Sequence, residues 1–181
     1  MTEIEKIIRT LKDKKNLGRF YVTVKGVEKY IDGFVLDISK QFILVRECID
    51  FTPQSLIIIS LNKLSKIKCD KKQKSFTRIL KLEKLVDKAL VFDKIALESY
   101  AEIFKDIKKK YKYVIVEDVF KGESNFCIGE IARVNKESVS IFYFDITGKV
   151  DNFTTTVAFT DIANIEYDSN YLNTFVKYLK H

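Results

Sequence analysis

The hydrophobic positions of residues 19–69 recur at the spacing of short β-strands. In "RFYVTVK", apolar and polar side chains alternate as they do in a strand with one buried face. Two apolar runs, "YIDGFVLDI" and "QFILVRECI", flank a short polar connection, and "LIIIS" and "LSKIKC" follow. Short apolar runs separated by turn residues predict five strands. Residues 73–86 then carry apolar side chains at helical spacing, so we expect a helix with Phe76, Ile79 and Leu80 on its buried face.

The same order of elements returns in the C-terminal third. The segments "YKYVIVED", "FCIGEIARV", "SVSIFYFDI", "FTTTVAF" and "IANIEY" predict five more strands, and "NYLNTFVKYLK" predicts a closing helix. Gly33 and Gly129 occupy the same place in the second strand of each set, and Asp70 and Asp168 each follow the fifth strand. This ordered recurrence predicts a tandem repeat. We expect each aspartate to cap the helix that follows it, because its side chain can accept from the unpaired N–H groups of the first turn.

Each predicted unit holds five short strands and a helix in roughly 60–70 residues, a size that suits a small barrel. Closure into a barrel removes the exposed edges that short strands would otherwise present. The glycine midway along the second strand fits a tight bend at which a Cβ would clash. We therefore expect a mainly β protein with helices, of the α+β class, made of two tandem five-stranded barrels that are each closed by a C-terminal helix.

A helical linker is predicted between the two barrels. The expected organisation is an N-terminal helix with the first barrel and its helix in residues 1–86, the linker in residues 87–110, and the second barrel with its helix in residues 111–181. In the linker, Leu97, Tyr100, Ala101, Phe104 and Ile107 fall on one face of a helix. The segment has no Gly, Pro or Ser tract, so we expect it to hold the barrels in a fixed relation.

The pattern resembles the Sm-like small β-barrels of the wider SH3-like class. The resemblance covers residues 19–69 and 113–167, and it rests on the strand order, the glycine in a long second strand and an "L-x-x-I" pattern in the fifth strand. It implies a small barrel for each unit. Members of this family usually assemble as rings, whereas a fused tandem with an extra helix need not.

The family's RNA pocket is not matched in this chain. Sm-like RNA binders typically carry an aspartate six residues after the glycine and an asparagine four residues further on. Ser39 and Ile43 stand at these offsets in the first unit, and Asn135 and Val139 stand there in the second. The resemblance therefore implies a fold without the family's usual way of binding a base.

Positive charge is concentrated in the first half of the chain. The net charge is +7, but residues 1–90 have a balance of +9 and residues 91–181 a balance of −2. A candidate patch for an anionic ligand consists of Lys66, Lys68, Lys71, Lys72, Lys74 and Arg78. Such a density attracts phosphate backbones. Only one of these cations is arginine and the interleaved Phe76 is expected in the core, so a solvated surface without a ligand is the alternative.

No motif in the sequence identifies a reaction. The three cysteines, Cys48, Cys69 and Cys127, lack the paired spacing of a zinc site or a disulfide framework and are expected to be buried free thiols. The single histidine is the last residue, His181, which excludes chemistry built on a histidine base. The chain has no phosphate-binding glycine loop and no nucleophile motif. We therefore expect a protein without enzymatic activity, catalytic residues, metal or cofactor.

The function expected from these observations is that of a binding protein. No apolar run is long enough to cross a membrane, and the first residues are amphipathic, so we expect a cytoplasmic, bacterial protein that does not contact membranes. The favoured role is an interaction module whose partner is another protein, such as an adaptor or a toxin-neutralising partner. RNA binding through the basic first unit is the alternative, and a structural subunit of a homo-oligomer is the second alternative. The sequence leaves the oligomeric state open.

Overall fold

One antiparallel sheet organises the chain in a computed structural model, which describes residues 2–120 and 123–180. The strands of these residues are β1 Leu17–Val24, β2 Val27–Ile38, β3 Phe42–Ile49, β4 Thr52–Ser60, β5 Leu64–Lys68, β6 Tyr113–Phe120, β7 Glu123–Val134, β8 Ser138–Tyr143, β9 Thr155–Ala158 and β10 Ile162–Tyr167. Their order across the sheet is β5-β1-β2-β3-β4-β10-β6-β7-β8-β9. The helices are α1 Glu3–Asp13, α2 Lys71–Leu82, α3 Val86–Ala89, α4 Tyr100–Lys110 and α5 Asn170–Val176.

The prediction of two closed five-stranded barrels is wrong. β4 pairs with β10, with Ile57 opposite Glu166 and Ile58 opposite Ile165, and this pairing joins all ten strands into one open sheet. A strand has two edges for hydrogen bonding, and β10 uses its other edge to pair with β6. Neither half of the sheet can therefore close on itself through these strands. In the described part of the chain, β5 and β9 are the two edge strands.

The two halves of the sheet nevertheless share strand order and register. Each half runs fifth, first, second, third and fourth strand of its set. Gly33 lies opposite Glu47, and Gly129 lies opposite Tyr143, at the same separation along the chain. A register shift follows each glycine in β2 and in β7. This agreement is what a duplicated unit predicts, and the duplication itself stays a prediction.

Both glycines lie where the neighbouring strand comes close. A Cβ added at Gly33 would overlap the backbone carbonyl oxygen of Arg46, and one added at Gly129 would overlap the carbonyl oxygen of Phe142. The expected reason for glycine in these strands, a close approach that excludes a side chain, is therefore present in an open sheet as well.

The predicted helical linker is also wrong in its form. Residues 90–98 have no regular secondary structure, and the helix α4 begins only at Tyr100. Ile103, Phe104 and Ile107 of this helix are fully buried. They share one core cluster with Leu44 of the first half, and with residues of β6 and β10. The segment is thus part of a core that belongs to both halves, because its apolar face covers the sheet across their junction.

Helix α2 buries Leu80, as predicted, but the rest of its buried face differs from the predicted one. Gln73, Thr77 and Leu80 are buried, whereas Ile79 is exposed and Leu82 is 69% exposed. The hydroxyl of Thr77 accepts a hydrogen bond from the N–H of Leu17 at 2.9 Å. This hydrogen bond at the start of β1 explains why the polar Thr77 faces the sheet. A prediction from the spacing of apolar residues alone does not include such a polar contact.

Only one of the two predicted aspartate caps is present. Asp70 accepts from the N–H of Lys72 and forms a capping box with Gln73 at the start of α2. At the start of α5 the cap is Ser169, whose hydroxyl accepts from the N–H of Leu172. Asp168 has a left-handed backbone, with φ of 50°, and its carboxylate accepts from the side-chain amide of Asn173. None of the helices in residues 2–120 and 123–180 is long and apolar enough to cross a membrane.

Candidate nucleic-acid interface

The predicted cationic patch lies along β5 and the adjoining helix α2. The structure places its six members, Lys66, Lys68, Lys71, Lys72, Lys74 and Arg78, on the surface, with Lys68 half-buried and the others exposed. Lys66 and Lys68 are two residues apart on β5, so their side chains project from the same face of the sheet. β5 is an edge strand, and lysines are common on such edges because they hinder pairing with another chain.

A tight hairpin places two tyrosines beside these lysines. Lys25 and Gly26, with φ of 49° and 83°, form the two-residue turn between β1 and β2. Two residues with positive φ are typical of the hairpin turn that matches strand twist. The turn fixes the register, and Tyr21 therefore lies directly opposite Tyr30. Their ring centroids are 6.0 Å apart.

Two rows of side chains cross the edge of the sheet on this face. In the first row Lys66 of β5 lies opposite Tyr21, which lies opposite Tyr30. In the second row Lys68 lies opposite Arg19, which lies opposite Asp32. We call the surface formed by Arg19, Tyr21, Tyr30, Lys66 and Lys68 the tyrosine platform. The two lysines of this surface belong to the cationic patch predicted from the sequence, whereas Arg19, Tyr21 and Tyr30 were not predicted as site residues.

Each tyrosine ring of the platform has a cation on it. The Lys68 ammonium is 5.2 Å from the ring centroid of Tyr21, and the Arg19 guanidinium is 3.9 Å from that of Tyr30. These distances are within the range of cation–π attraction. A hydrogen bond with Lys68 lowers the pKa of the Tyr21 hydroxyl below its ordinary value. Tyr30 is 57% exposed, so a large part of its ring is open to a ligand.

Two carboxylates accompany the platform. Asp32 holds Arg19 by two hydrogen bonds, at 2.8 and 2.6 Å, and this contact raises the pKa of the guanidinium. Glu28 accepts from the hydroxyl of Ser65 at 3.2 Å. The bidentate contact fixes Arg19 above Tyr30 and neutralises it, so the unneutralised cations of the platform are Lys66 and Lys68.

The cations of α2 divide between two surroundings. The ammonium of Lys72 lies 5.8 Å from the ring of Phe76, and that ring stacks on Phe51 at 4.4 Å. Lys74 and Arg78 instead line a pocket of about 320 Å³ together with Asn16, Thr77, Lys81 and Leu82. The structure therefore joins Lys66 and Lys68 to an aromatic surface and places Lys74 and Arg78 around a separate hollow.

Two of the three cysteine thiols lie in surroundings that disfavour the thiolate. Cys48 and Cys127 are buried free thiols, as predicted, and burial raises the pKa of each to about 12. Cys69 is a free thiol that is only half-buried. Within residues 2–120 and 123–180, no three His, Cys, Asp or Glu side chains lie close enough together to hold a metal ion.

One carboxyl at the junction of the two halves has a pKa near neutrality. Burial, with the nearby Glu166, raises the pKa of Glu47 to about 7. Burial also raises the pKa of Glu166, which accepts a hydrogen bond from Ser55 at 2.9 Å. Glu117, on the neighbouring strand β6, is paired with Lys29 at 2.7 Å. The raised pKa values of Glu47 and Glu166 therefore predict that the stability of the junction depends on pH.

No protein-family model, no curated protein and no solved structure matches the chain. A function for the chain therefore has to be inferred from the site alone.

Proposed function

We propose that this chain is a non-catalytic protein that binds single-stranded nucleic acid on the tyrosine platform. The observation that carries the proposal is the direct pairing of Tyr21 with Tyr30 beside Lys66 and Lys68. Proteins that bind single strands combine aromatic rings, on which bases stack, with cations that follow the phosphate backbone. The sequence alone does not show whether Tyr21 and Tyr30 are exposed, and the exposure of Tyr30 in the structure supports the proposal.

Stacking on the platform requires bases that are not paired. The rings of Tyr21 and Tyr30 lie side by side at the edge of the sheet, tilted by 49° to each other, and a base on Tyr30 would stack on the side opposite to Arg19. Base–aromatic stacking contributes about 1–3 kcal/mol per base. Bases inside a duplex are stacked on one another and do not offer a free face, so the platform favours single strands.

The cations of the platform recognise phosphate and not base sequence. Lysine presents a compact charge without the planar fork with which arginine reads base edges. The one arginine, Arg19, is already held by Asp32 at two points. Phosphate contacts position a strand but carry no sequence information. The proposed binding is therefore tolerant of sequence and sensitive to salt.

The test is fluorescence anisotropy of the full chain with a labelled oligo-uridine and with a labelled duplex of equal length. We expect binding to the single strand, with log affinity falling against log salt with a slope of about −1.4 if Lys66 and Lys68 each neutralise one phosphate. The double variant Lys66→Glu, Lys68→Glu should weaken binding by about tenfold or more, because it reverses two charges of the platform. Tyr30→Ala should weaken it by about tenfold through lost stacking.

Matched controls lie on elements that do not form the tyrosine platform. Lys105→Glu, Lys109→Glu makes the same change in net charge on the exposed side of α4, and Tyr178→Ala removes a tyrosine that is 71% exposed. Both controls should bind like the unmodified chain. If the platform variants retain full affinity, or if the controls lose as much, the proposal is wrong.

A second candidate function, capture of another protein, is supported by the opposite edge of the sheet. β9 has β8 as its only neighbour in the described residues, and its sequence, "TTVA", has no charge. Phe159 donates its N–H to Glu137 on the side of β8, and backbone direction alternates along a strand, so the N–H and C=O of Thr156 point away from β8. An uncharged free edge is a template for an extended peptide.

The surroundings of β9 suit an apolar peptide. A pocket of about 580 Å³ beside the strand is lined by apolar and aromatic residues that include Phe126, Tyr143 and Val157, and also by the carboxylates Asp118 and Asp161. Phe153, just before the strand, is 70% exposed. Side chains of an added strand alternate between faces, so every second one could reach this pocket. The occupant that fits is an extended, apolar segment of a partner protein.

A pull-down that is split into nuclease-treated and untreated halves separates the two candidates. Capture through β9 predicts a stoichiometric partner that survives nuclease, is lost in Thr156→Pro and is retained in Lys66→Glu, Lys68→Glu. Proline at this position removes the N–H on the free edge. Light scattering of the purified chain shows whether the occupant is a second copy of the same chain. A partner retained equally by both variants contradicts the β9 candidate.

A further inference from the structure

The two free edges of the sheet belong to the same kinds of strand that pair where its halves meet. β4, the fourth strand of the first set, pairs with β10, the fifth strand of the second set. β9 is the fourth strand of the second set and β5 is the fifth strand of the first, and each has one neighbouring strand in residues 2–120 and 123–180. One end of the sheet therefore carries a fourth-strand edge and the other end carries a fifth-strand edge.

We propose that β9 of one molecule pairs with β5 of a second copy of the chain, in the antiparallel arrangement by which β4 pairs with β10 inside the chain. Each copy then offers a different edge to each of its two neighbours, and repetition of such a contact generates a ring or an open filament. The second copy takes the place at β9 that the peptide of the second candidate function would occupy. The contact lies in the plane of the sheet and does not depend on nucleic-acid binding by the tyrosine platform.

The internal pairing of strands gives the alignment of β9 with β4. On β4, Ile59 lies opposite Ile43 of β3. On β9, Val157 lies opposite Val139 of β8, which holds the place of Ile43 in the second set. Val157 therefore has the place of Ile59, and the two strands can be aligned residue by residue.

The fifth strands align through Leu64 and Ile67 of β5 and Ile162 and Ile165 of β10, which have the same spacing. Ile165 lies opposite Ile58 of β4 in the internal junction. The same register between two copies places three pairs of residues opposite each other: Ile67 and Thr156, Lys68 and Thr155, and Cys69 and Thr154.

Residues of β5 are more exposed than their counterparts in the internal junction. Ile165 and Tyr167 are fully buried on β10, whereas Ile67 and Cys69, at the same places in the first set, are only half-buried. A neighbouring strand beside β5 would cover them further. β9 carries threonines where β4 carries isoleucines, so less apolar surface is buried and the contact is weaker than the internal one. We therefore expect association that depends on protein concentration.

The lysines of β5 select the partner edge. In a pair of two β5 strands, Lys66 and Lys68 of each copy would come close to those of the other, and like charges on paired strands are destabilising. β9 has no charged residue. In the proposed register Lys66 lies opposite Val157 and Lys68 lies opposite Thr155, so both ammonium groups meet an uncharged strand.

Carboxylates lie beside β9 on the side that these lysines would approach. Val157 and Thr155 line the pocket of about 580 Å³ together with Asp118 and Asp161. Asp161 is paired with Lys25 at 2.9 Å, whereas Asp118 accepts from the neutral amide of Asn125 at 3.0 Å. Asp118 therefore supplies negative charge near the expected position of the incoming lysines, which favours β5 over an uncharged edge.

Thr154→Cys tests the register, because this residue is expected opposite the native Cys69 of the next copy. Opposed residues of antiparallel strands have Cα atoms about 4.5–5.5 Å apart, which is within the range of a disulfide. Oxidation of this variant at millimolar concentration should give dimers and longer species on a non-reducing gel, and an added Cys69→Ser should abolish them. Thr155→Cys, the matched control, projects from the other face of the strand and should stay monomeric.

Sedimentation of the unmodified chain measures association without a cross-link. We expect the average mass to rise with concentration up to the millimolar range, and Thr156→Pro to stay a monomer because proline removes the N–H on the free edge. The proposal is overturned if the unmodified chain is a monomer throughout, if Thr154→Cys cross-links no better than Thr155→Cys, or if Thr156→Pro associates like the unmodified chain. None of these results changes the expected affinity for oligo-uridine, so failure of self-association and failure of the proposed function are distinguishable.

Discussion

Arg19 and Asp32 face each other across β1 and β2, and their side chains form a two-point contact at 2.8 and 2.6 Å. The contact holds the guanidinium 3.9 Å from the centre of the Tyr30 ring. It therefore decides two properties of the tyrosine platform at once: where the arginine lies, and how much positive charge the surface presents to a phosphate.

Asp32→Asn should raise affinity for single strands and lower stability slightly. The change removes a negative charge from the platform, so we expect severalfold tighter binding to oligo-uridine at low salt, with the gain disappearing at high salt. Because the pair is mostly but not fully shielded from water, unfolding should become easier by about 1 kcal/mol. Anisotropy and urea unfolding measure the two effects.

The control for Asp32→Asn is Asp37→Asn, which breaks the more exposed ion pair with Lys12, at 3.2 Å, away from the platform. It should leave nucleic-acid affinity unchanged. Equal gains in both variants would mean that net charge alone, and not the platform, controls binding.

Glu47→Gln should stabilise the protein above neutral pH and not below pH 5. Burial raises the pKa of Glu47 from 4.5 to about 7, so the folded state holds a proton that the unfolded state has released between these values. The stabilising contribution of the protonated Glu47 is then fully present below about pH 4.5, and it is lost as the pH rises towards 7. The glutamine stays neutral, and we expect it to add about 1–2 kcal/mol at pH 8.

Urea unfolding of Glu47→Gln and of the unmodified chain at pH 5 and pH 8 measures this difference. Glu98→Gln, at an exposed position outside the junction, is the control and should show no such change with pH. A gain from Glu47→Gln that is the same at both values would contradict the assigned pKa.

Gly33→Ala should cost much more stability than Gly26→Ala. The added methyl group at Gly33 would overlap the carbonyl oxygen of Arg46, so β2 and β3 would have to separate, and we expect a loss of about 2–3 kcal/mol. Gly26 has open space around it and only a positive φ, of 83°, to restrict it, which should cost about 1–2 kcal/mol. Thermal unfolding gives both values, and a larger loss at Gly26 would refute the close approach of the strands.

Substitution of Asp70, before α2, should lower stability more than substitution of Asp168, before α5. Asp70→Ala removes the cap of α2 and should cost about 1 kcal/mol, and Ser169→Ala should cost a similar amount at α5. Asp168→Gly removes a side chain from a left-handed position and loses only the bond to Asn173, so its effect should be close to zero. If the substitution of Asp168 lowers stability as much as that of Asp70, Asp168 caps α5 as the sequence predicted.

Local elements could be predicted because periodicity reports them directly. The strands around Phe20, Gly33 and Gly129 and the helix after Asp70 lie where the alternation and the capping signal placed them. The pairing of Tyr21 with Tyr30 could also have been predicted from the sequence. If Lys25 and Gly26 form a two-residue turn, the two tyrosines are equally far from it along the chain and lie opposite each other. That register was not used in the prediction.

Partners that are distant in sequence could not be predicted. The continuous apolar run in "LIIIS" indicates that β4 is a buried strand, but it does not indicate which strand lies beside it. The predicted barrel followed from assuming a neighbour in the same unit. The surroundings of Tyr167 depend on the same unknown, since Arg46 and Tyr167 flank Leu56 only when β4 lies between β3 and β10.

The pairing of β4 with β10 also determines what happens while the chain is being made. Ile57 and its partner Glu166 are separated by more than half of the sequence, and the second edge of β4 has no other strand to pair with in the described fold. At roughly 5–20 residues per second, a ribosome needs about 5–20 s to add the intervening residues. During that time the nascent first half presents an apolar strand with an unpaired edge. Newly made chains are therefore most exposed to aggregation, and to capture by chaperones, before β10 emerges.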